Sequence, residues 1–318
     1  PGMVDIMNIL ILGGTAWLSS AIACIATGRG HNVICAARGT DTPPKGCFFV
    51  PLDRTQPDTY AALPNITWDA VVDVTTSYRF AADATTNIRT NHWVYVSSAS
   101  VYADISDPHR DETTPLVSPE GADTPGNFPA AKVACEQQFP PETTCIIRPG
   151  LIGGAGDPTG RSGYYPWRFT HPTGPEVLVP NLHMPVSMIN VADLAAWIVH
   201  CMEHQVVGVF NASGPAHTLK DVCRLSPIPV REVPTEVLLA AGINQWLGPT
   251  SLPLWLADPN LQYAMVFDST AARNHGLTTR PLPATLHAAA RTFQPGTSGL
   301  TDEEERKLRA YLTASKSE

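Results

Sequence analysis

The stretch NILILGGTAWLSS, residues 8–20, joins a continuous apolar run to a glycine-containing turn and the start of a helix. Residues 9–12 are apolar without alternation, which predicts a strand buried on both faces, as in a parallel sheet. After the turn, Leu18, Ile22 and Ile25 recur at helical spacing. A strand, a tight turn and a helix in this order open a doubly wound α/β sheet.

Similar patterns continue along the chain. Apolar runs predict further strands at residues 32–37, 48–53, 70–74, 93–97, 145–149 and 208–211, and helical periodicity predicts helices at residues 129–138 and 191–204. Thr301 and Glu304 form a capping box that opens a last helix. We therefore expect a Rossmann fold, a doubly wound parallel sheet with ligands bound at the carboxyl ends of its strands.

The strength of this pattern divides the chain. We expect residues 7–150, completed by 186–213, to form the Rossmann domain. The pattern is weaker over residues 151–185 and 214–300, which predicts a smaller substrate-binding region there. Residues 301–318 are expected to form a C-terminal helix.

Composition excludes several classes of protein. The 318 residues carry a net charge of −8 without a basic stripe, which argues against a nucleic-acid partner. No apolar run approaches the roughly 18 residues of a membrane span. The seven cysteines are scattered, as is typical of reduced thiols in the cytoplasm. We expect a cytoplasmic protein that acts on a small molecule. A homodimer is a possible assembly.

The turn after the first strand is a candidate dinucleotide site. Gly13 holds the first position of the dinucleotide fingerprint, and Ala16 and Ser19 replace its other two glycines. Small residues there let a pyrophosphate approach the N–H groups of a helix N-terminus. An ordinary tight turn is the alternative. The predicted contacts are Gly13, Thr15, Ala16, Trp17 and Leu18.

The end of the second strand predicts which dinucleotide is bound. The fingerprint places an acidic residue there for the ribose hydroxyl, but this sequence has Arg38. A guanidinium suits a 2′-phosphate, which favours NADP(H) over NAD. Asp53, after the third strand, is expected near the adenine. A solvated arginine and a strand-ending turn residue are the alternatives.

Four motifs in one order carry a family resemblance. They are Ser97-Ser98-Ala99-Ser100-Val101-Tyr102, Phe128-Pro129-Ala130-Ala131-Lys132, Arg148-Pro149 and the stretch PVSMINVADL at residues 185–194. With the glycine turn, they resemble the extended short-chain dehydrogenase/reductases from about residue 7 to 215. The sequence is most similar to the GGT-type branch of actinobacterial reductases, often labelled NAD-dependent epimerase/dehydratase.

The resemblance implies roles for three residues. Ser98 matches the serine that hydrogen-bonds the substrate oxygen. Lys132 matches the lysine that holds the nicotinamide ribose and lowers the pKa of the catalytic tyrosine, although a solvated helix lysine is the alternative. Pro149 matches a residue that lines the nicotinamide.

Phe128 departs from the family, which has its catalytic tyrosine at this position. Loss of a positioned general acid typically lowers the rate about 10²–10⁴-fold. Three explanations of Phe128 are open. The chain is an inactivated variant, or another residue such as Tyr102, Tyr164 or Tyr165 serves as the general acid, or the protein binds the cofactor without redox chemistry. We favour the first explanation, because Pro1 and Gly2 resemble the remnant of a cleaved tag.

Residues 161–168 are the candidate substrate segment. Arg161 and Arg168 suit a phosphate or carboxylate, and Tyr164 and Tyr165, with Tyr102 elsewhere, suit a flat ring. An exposed loop with ordinary aromatic packing is the alternative.

Residues 200–204 spell the zinc-peptidase pattern H-x-x-E-H. Zinc needs a third protein ligand, and histidines also suit a helix C-terminus, so we expect no metal.

These interpretations predict an NADP(H)-dependent carbonyl reductase or alcohol dehydrogenase. Its substrate would be a polar small molecule, such as a biosynthetic intermediate, a nucleoside or a sugar derivative. An epimerase that uses bound NAD(P) and a non-catalytic NADP(H) sensor are the alternatives. A sugar dehydratase is disfavoured, because that subgroup has Asp-Glu where this sequence has Ala99-Ser100.

Overall fold

A computed structural model of the chain describes residues 5–314. Its central sheet has seven parallel strands in the order β7-β6-β5-β4-β1-β2-β3. This topology confirms the predicted Rossmann fold. The tag-like residues Pro1 and Gly2 and the last four residues of the predicted C-terminal segment lie outside the described residues. The strands are β1 Asn8–Leu12, β2 Asn32–Ala37, β3 Phe48–Pro51, β4 Ala70–Asp73, β5 Trp93–Val96, β6 Thr144–Pro149 and β7 Gly208–Ala212.

Helices cover both faces of this sheet and continue into the C-terminal half. Within residues 5–314, none of them combines the length and the apolar composition that crossing a membrane requires. The sequence did not predict α2, because the residues it buries, Ala81 and Ala84, are small. The helices are α1 Trp17–Gly28, α2 Tyr78–Asn87, α3 Phe128–Glu136, α4 Tyr164–Thr170, α5 Val191–Glu203, α6 Leu219–Cys223, α7 Thr235–Ala240, α8 Thr270–Asn274, α9 Leu282–Ala290 and α10 Asp302–Ala314.

The turn between β1 and α1 needs its glycines. Gly13 has a φ of +72°, a region that other residues rarely adopt. A Cβ on Gly14 would lie 2.7 Å from the Cβ of Cys35 in β2, so any larger residue would push the turn off the sheet. No side chain caps the N-terminus of α1, and its first turn has no acidic residue. Its N–H groups and the positive end of its dipole are therefore available to an anion.

A second hydrophobic core lies in the C-terminal half, where α4, α6, α7, α9 and α10 pack together. Arg168 of α4 holds α10 in this core, and its side chain is fully buried. Its Nε lies 3.0 Å from a carboxylate oxygen of Glu305, and a terminal nitrogen donates to the carboxylate of Asp302 at 2.7 Å. The predicted capping box of Thr301 and Glu304 is present. Four two-stranded sheets complete this half: Ile152–Gly153 with Ile189–Asn190, Pro185–Val186 with His217–Thr218, Val177–Val179 with Val230–Glu232, and Asn244–Trp246 with Ser251–Pro253.

One side chain attaches the loop at residues 104–127 to the second core. The guanidinium of Arg110 donates to the carbonyl oxygens of Ile105 and Asp107 in the loop and of Tyr263 and Ala264 across from it. The loop contains no helix or strand, but these four bonds fix its position.

Candidate functional site

The first of two clefts that contain predicted site residues lies at the carboxyl ends of β1, β2 and β3. It has a volume of about 360 Å³. Parallel strands end at one edge of a sheet, so residues that are distant in sequence meet there. The structure brings together five of the predicted cofactor residues at this cleft: Gly13, Thr15, Ala16, Arg38 and Asp53.

The side chains of Trp17 and Leu18 point away from this cleft. The indole Nε1 of Trp17 donates to the carbonyl oxygen of Ala155 at 2.9 Å, in the segment after β6. Leu18 packs against the hydrophobic core between the sheet, α1 and α5. Neither side chain lines the cleft, so the contact expected from these two residues is through their backbone N–H groups.

The two charged residues at the rim of this cleft differ in how they are held. Asp53 accepts hydrogen bonds from the backbone N–H and the hydroxyl of Thr55, at 3.0 and 2.8 Å. These bonds, with a smaller contribution from the charge of Arg38, hold the pKa of Asp53 below its usual value. Arg38 is exposed and makes no hydrogen bond or ion pair with any residue in the range 5–314. Its guanidinium is therefore available to a ligand.

Arg54 lines the first cleft and belongs to an ion pair that the sequence did not indicate. Arg54 forms a bidentate pair with Asp73 at the end of β4, with distances of 2.9 and 2.8 Å. It also donates to the hydroxyl of Tyr60. A larger cleft of about 460 Å³ lies on the other side of Arg54 and contains none of the predicted site residues.

The second cleft, of about 350 Å³, lies beyond the ends of β5 and β6. The structure brings together four predicted site residues there: Ser98, Phe128, Pro149 and Arg161. The hydroxyl of Ser98 accepts from the N–H of Ser100 at 3.1 Å and lies 2.9 Å from its hydroxyl. The ring of Phe128 is 44% exposed, so it forms an open wall of the cleft.

Lys132 lies below this cleft and is almost fully buried. Its ammonium donates to three backbone carbonyls at the ends of β4 and β5, those of Val74 at 3.1 Å, Thr75 at 3.0 Å and Val96 at 2.7 Å. These bonds use all three of its N–H groups. Burial lowers the pKa of Lys132 to about 8. A cofactor ribose could be held by this lysine only by replacing one of the three carbonyls.

The Arg-Pro motif places its two residues differently. Pro149 lines the second cleft, whereas Arg148 is buried and forms a bidentate pair with Glu136 of α3, with distances of 3.0 and 2.7 Å. Tyr102 belongs to the same network, because its hydroxyl accepts from Arg148 and donates to Asn211. Burial raises the pKa of Tyr102. Tyr102 was predicted to contact substrate, but its hydroxyl is used inside the protein.

Three further residues predicted to bind substrate also lie in a core. Tyr164 and Tyr165 are buried in the second core, where burial raises the pKa of both phenols. Arg168 is the buried partner of α10 described above. The residues of α4 face the core because the helix packs against α6 and α9, so these three side chains do not line the cleft.

Arg161 and Trp246 form the far wall of the second cleft. The guanidinium carbon of Arg161 lies 4.5 Å from the ring centroid of Trp246, and its Nε donates to the hydroxyl of Thr159 at 3.1 Å. Trp246 has a φ of +69°, a strained conformation for a tryptophan. The sequence does not indicate Trp246 as a site residue, because no motif surrounds it and it lies 85 positions from Arg161.

The histidines of the H-x-x-E-H pattern lie at the end of α5. The potential ligand atoms of His200, Glu203 and His204 are within 4.8 Å of one another. Glu203, however, is bound by Arg29 at 2.5 Å and by His31 at 3.0 Å. A cation would compete with these two partners for the carboxylate.

No protein-family model and no curated protein matches the chain. Solved structures do match it. UDP-glucose 4-epimerase from Bifidobacterium longum, in complex with NAD+ and UDP, is 16% identical with a TM-score of 0.60, and the match covers 89% of this chain and 97% of that one. WbmG from Bordetella bronchiseptica, in complex with NAD and UDP, is 14% identical with a TM-score of 0.64, covering 90% and 96%. Human epimerase family protein SDR39U1 (isoform 2), with NADPH, is 18% identical with a TM-score of 0.61, covering 90% and 99%. This chain has the fold of these epimerase structures. The same fold was implied by the motifs that resemble the extended short-chain dehydrogenase/reductases.

Proposed function

We propose that the chain is an extended short-chain dehydrogenase/reductase that binds NADP(H) and transfers hydride to or from a polar small molecule. The cofactor-binding part would comprise residues 7–150 and 186–213, and the substrate region residues 151–185 and 214–300. The main support is the meeting of Gly13, Ala16 and Arg38 at one cleft, beside an uncapped helix N-terminus. The diphosphate would bind the N–H groups of α1, and the 2′-phosphate would pair with Arg38.

The proposed reaction takes place in the second cleft. Ser98 would hydrogen-bond the reacting oxygen, and Pro149 would lie against the nicotinamide. When bound, NADPH would supply the hydride in a reduction, and NADP+ would accept it in an oxidation. Phe128 has no proton to give, so the sequence as it stands should turn over slowly if at all.

A non-catalytic NADP(H) sensor is the second candidate, and one observation favours it. Lys132 is fully engaged by three carbonyls, and no tyrosine, histidine or carboxylic acid lines the second cleft in the described part of the chain. An epimerase remains an alternative on the neighbours' names, which state NAD or NADPH for those proteins.

Calorimetric titration with NADPH and NADH tests the cofactor. We expect tighter binding of NADPH, and Arg38→Ala should reduce that preference, because the guanidinium is the expected partner of the 2′-phosphate. Arg280→Ala is the matched control, since Arg280 is partly exposed and pairs with Asp193 outside the cleft. Equal affinities in the unmodified chain would contradict the assignment.

A further inference from the structure

The second cleft contains one charged side chain. Among the described residues that line it, Arg161 is the cation, and the others are apolar or carry hydroxyl groups. Burial lowers the pKa of Arg161, so its charge has lost part of its hydration. A desolvated charge is costly unless a partner compensates it.

Four other arginines of the described chain that are buried or partly buried have such partners. Arg54 pairs with Asp73, Arg148 with Glu136, and Arg168 with Glu305. Arg110 donates to four backbone carbonyls. Arg161 differs, because within residues 5–314 the only hydrogen bond that its side chain donates comes from Nε, to the hydroxyl of Thr159, which leaves both terminal nitrogens free.

The acidic residue whose charge acts on Arg161, Asp157, does not fill this role. Asp157 influences the pKa of Arg161 but makes no ion pair with it. One of its oxygens accepts from the N–H and hydroxyl of Thr159, and the other accepts from the N–H and hydroxyl of Ser162. Both oxygens of Asp157 thus already hold the segment that carries Arg161.

The guanidinium of Arg161 lies over the ring of Trp246, and this cation–π contact restrains its position. The guanidinium is planar, and two of its N–H groups can bind both oxygens of a carboxylate. Trp246 keeps a strained backbone at this position, as residues at binding sites often do. The site is therefore held ready for a planar anion.

We propose that the substrate is a carboxylic acid with a single negative charge, bound through its carboxylate to Arg161. The reacting carbon would lie near Ser98 on the opposite wall. One cation balances one carboxylate, whereas a nucleoside diphosphate carries at least two charges and would find no second cation in this cleft. The inference rests on the proposed function only for the chemistry at Ser98, because the anion site itself does not require a cofactor.

Calorimetry with matched probes tests this assignment. The chain, with and without NADPH, is titrated with 3-phenylpropionate, 3-phenylpropionamide, phenyl phosphate and UDP. We expect the carboxylate to bind at least about tenfold more tightly than the amide, the difference of one charge-assisted pair. Arg161→Gln should abolish that preference, and Arg161→Lys should keep a part of it. Arg280→Gln, the control outside the cleft, should leave it unchanged.

Each outcome decides between the alternatives. Equal binding of acid and amide, tighter binding of phenyl phosphate or UDP, or an unchanged preference in Arg161→Gln would overturn the assignment. If Arg161→Gln does not fold, the comparison of acid with amide on the unmodified chain still decides. Failure of NADPH to bind, with the carboxylate preference intact, would contradict the proposed function and leave the anion site standing.

Discussion

Phe128→Tyr adds a single hydroxyl to the wall of the second cleft. The ring is 44% exposed, and its centroid lies 5.9 Å from the ammonium nitrogen of Lys132. Because the ring is partly open to solvent, the added hydroxyl need not be buried without a partner, and we expect little change in the free energy of unfolding. The charge of Lys132 should lower the pKa of the new phenol.

The expected gain follows from the proton that the reaction needs. Hydride addition to a carbonyl leaves an alkoxide, and a positioned general acid accelerates such a step about 10²–10⁴-fold. This corresponds to about 3–5 kcal/mol of activation free energy. We expect Phe128→Tyr to raise kcat by about 10²-fold or more. The affinity for NADPH should change little, because the phenol acts on the substrate oxygen.

The assay follows NADPH absorbance with a panel of ketones, oxidised sugars, nucleoside-like carbonyls and keto acids. Phe48→Tyr is the matched control, since Phe48 is 68% exposed on β3 and does not line the cleft. If a substrate is found and Phe128→Tyr turns it over no faster than the unmodified chain, the proton comes from another group. The assignment of position 128 as the acid would then be wrong.

Two further predictions concern stability. Arg148→Gln should lower the free energy of unfolding, measured by chemical denaturation, by about 3–5 kcal/mol, because it leaves the buried Glu136 unpaired. A decrease below about 1 kcal/mol, which is typical of an exposed ion pair, would count against this network. Lys132 has a pKa of about 8 in the folded protein, compared with an ordinary value of 10.5. Between these two pH values the unfolded chain binds more protons than the folded one, so the free energy of unfolding should rise with pH, by about 3 kcal/mol from this group. This rise should be missing in Lys132→Met, and equal slopes for the two proteins would refute it.

The sequence predicted the first cleft well because a parallel sheet fixes where its strands end. Gly13, Arg38 and Asp53 each follow a strand of the parallel sheet, and strand ends meet at one edge whatever the intervening helices do. The positions of the strand ends in the sequence therefore determine most of the residues at this cleft.

The second cleft could be predicted only in part. Ser98 and Pro149 also follow strands and lie where expected. Tyr164 and Arg168 belong to a helix, and which face of a short helix is buried depends on partners such as α10 that are far away in sequence. Trp246 reaches the cleft from a loop-rich segment, where no periodicity indicates a position.

The seventh strand of the sheet has a consequence for synthesis of the chain. Gly208–Ala212 pairs with Thr144–Pro149, so during translation one side of β6 remains an unpaired edge until residues 150–212 have left the ribosome. A nascent chain that stalls between Pro149 and Gly208 exposes the strand backbone beside the second cleft. Chaperone binding during synthesis is therefore expected to be concentrated in this interval.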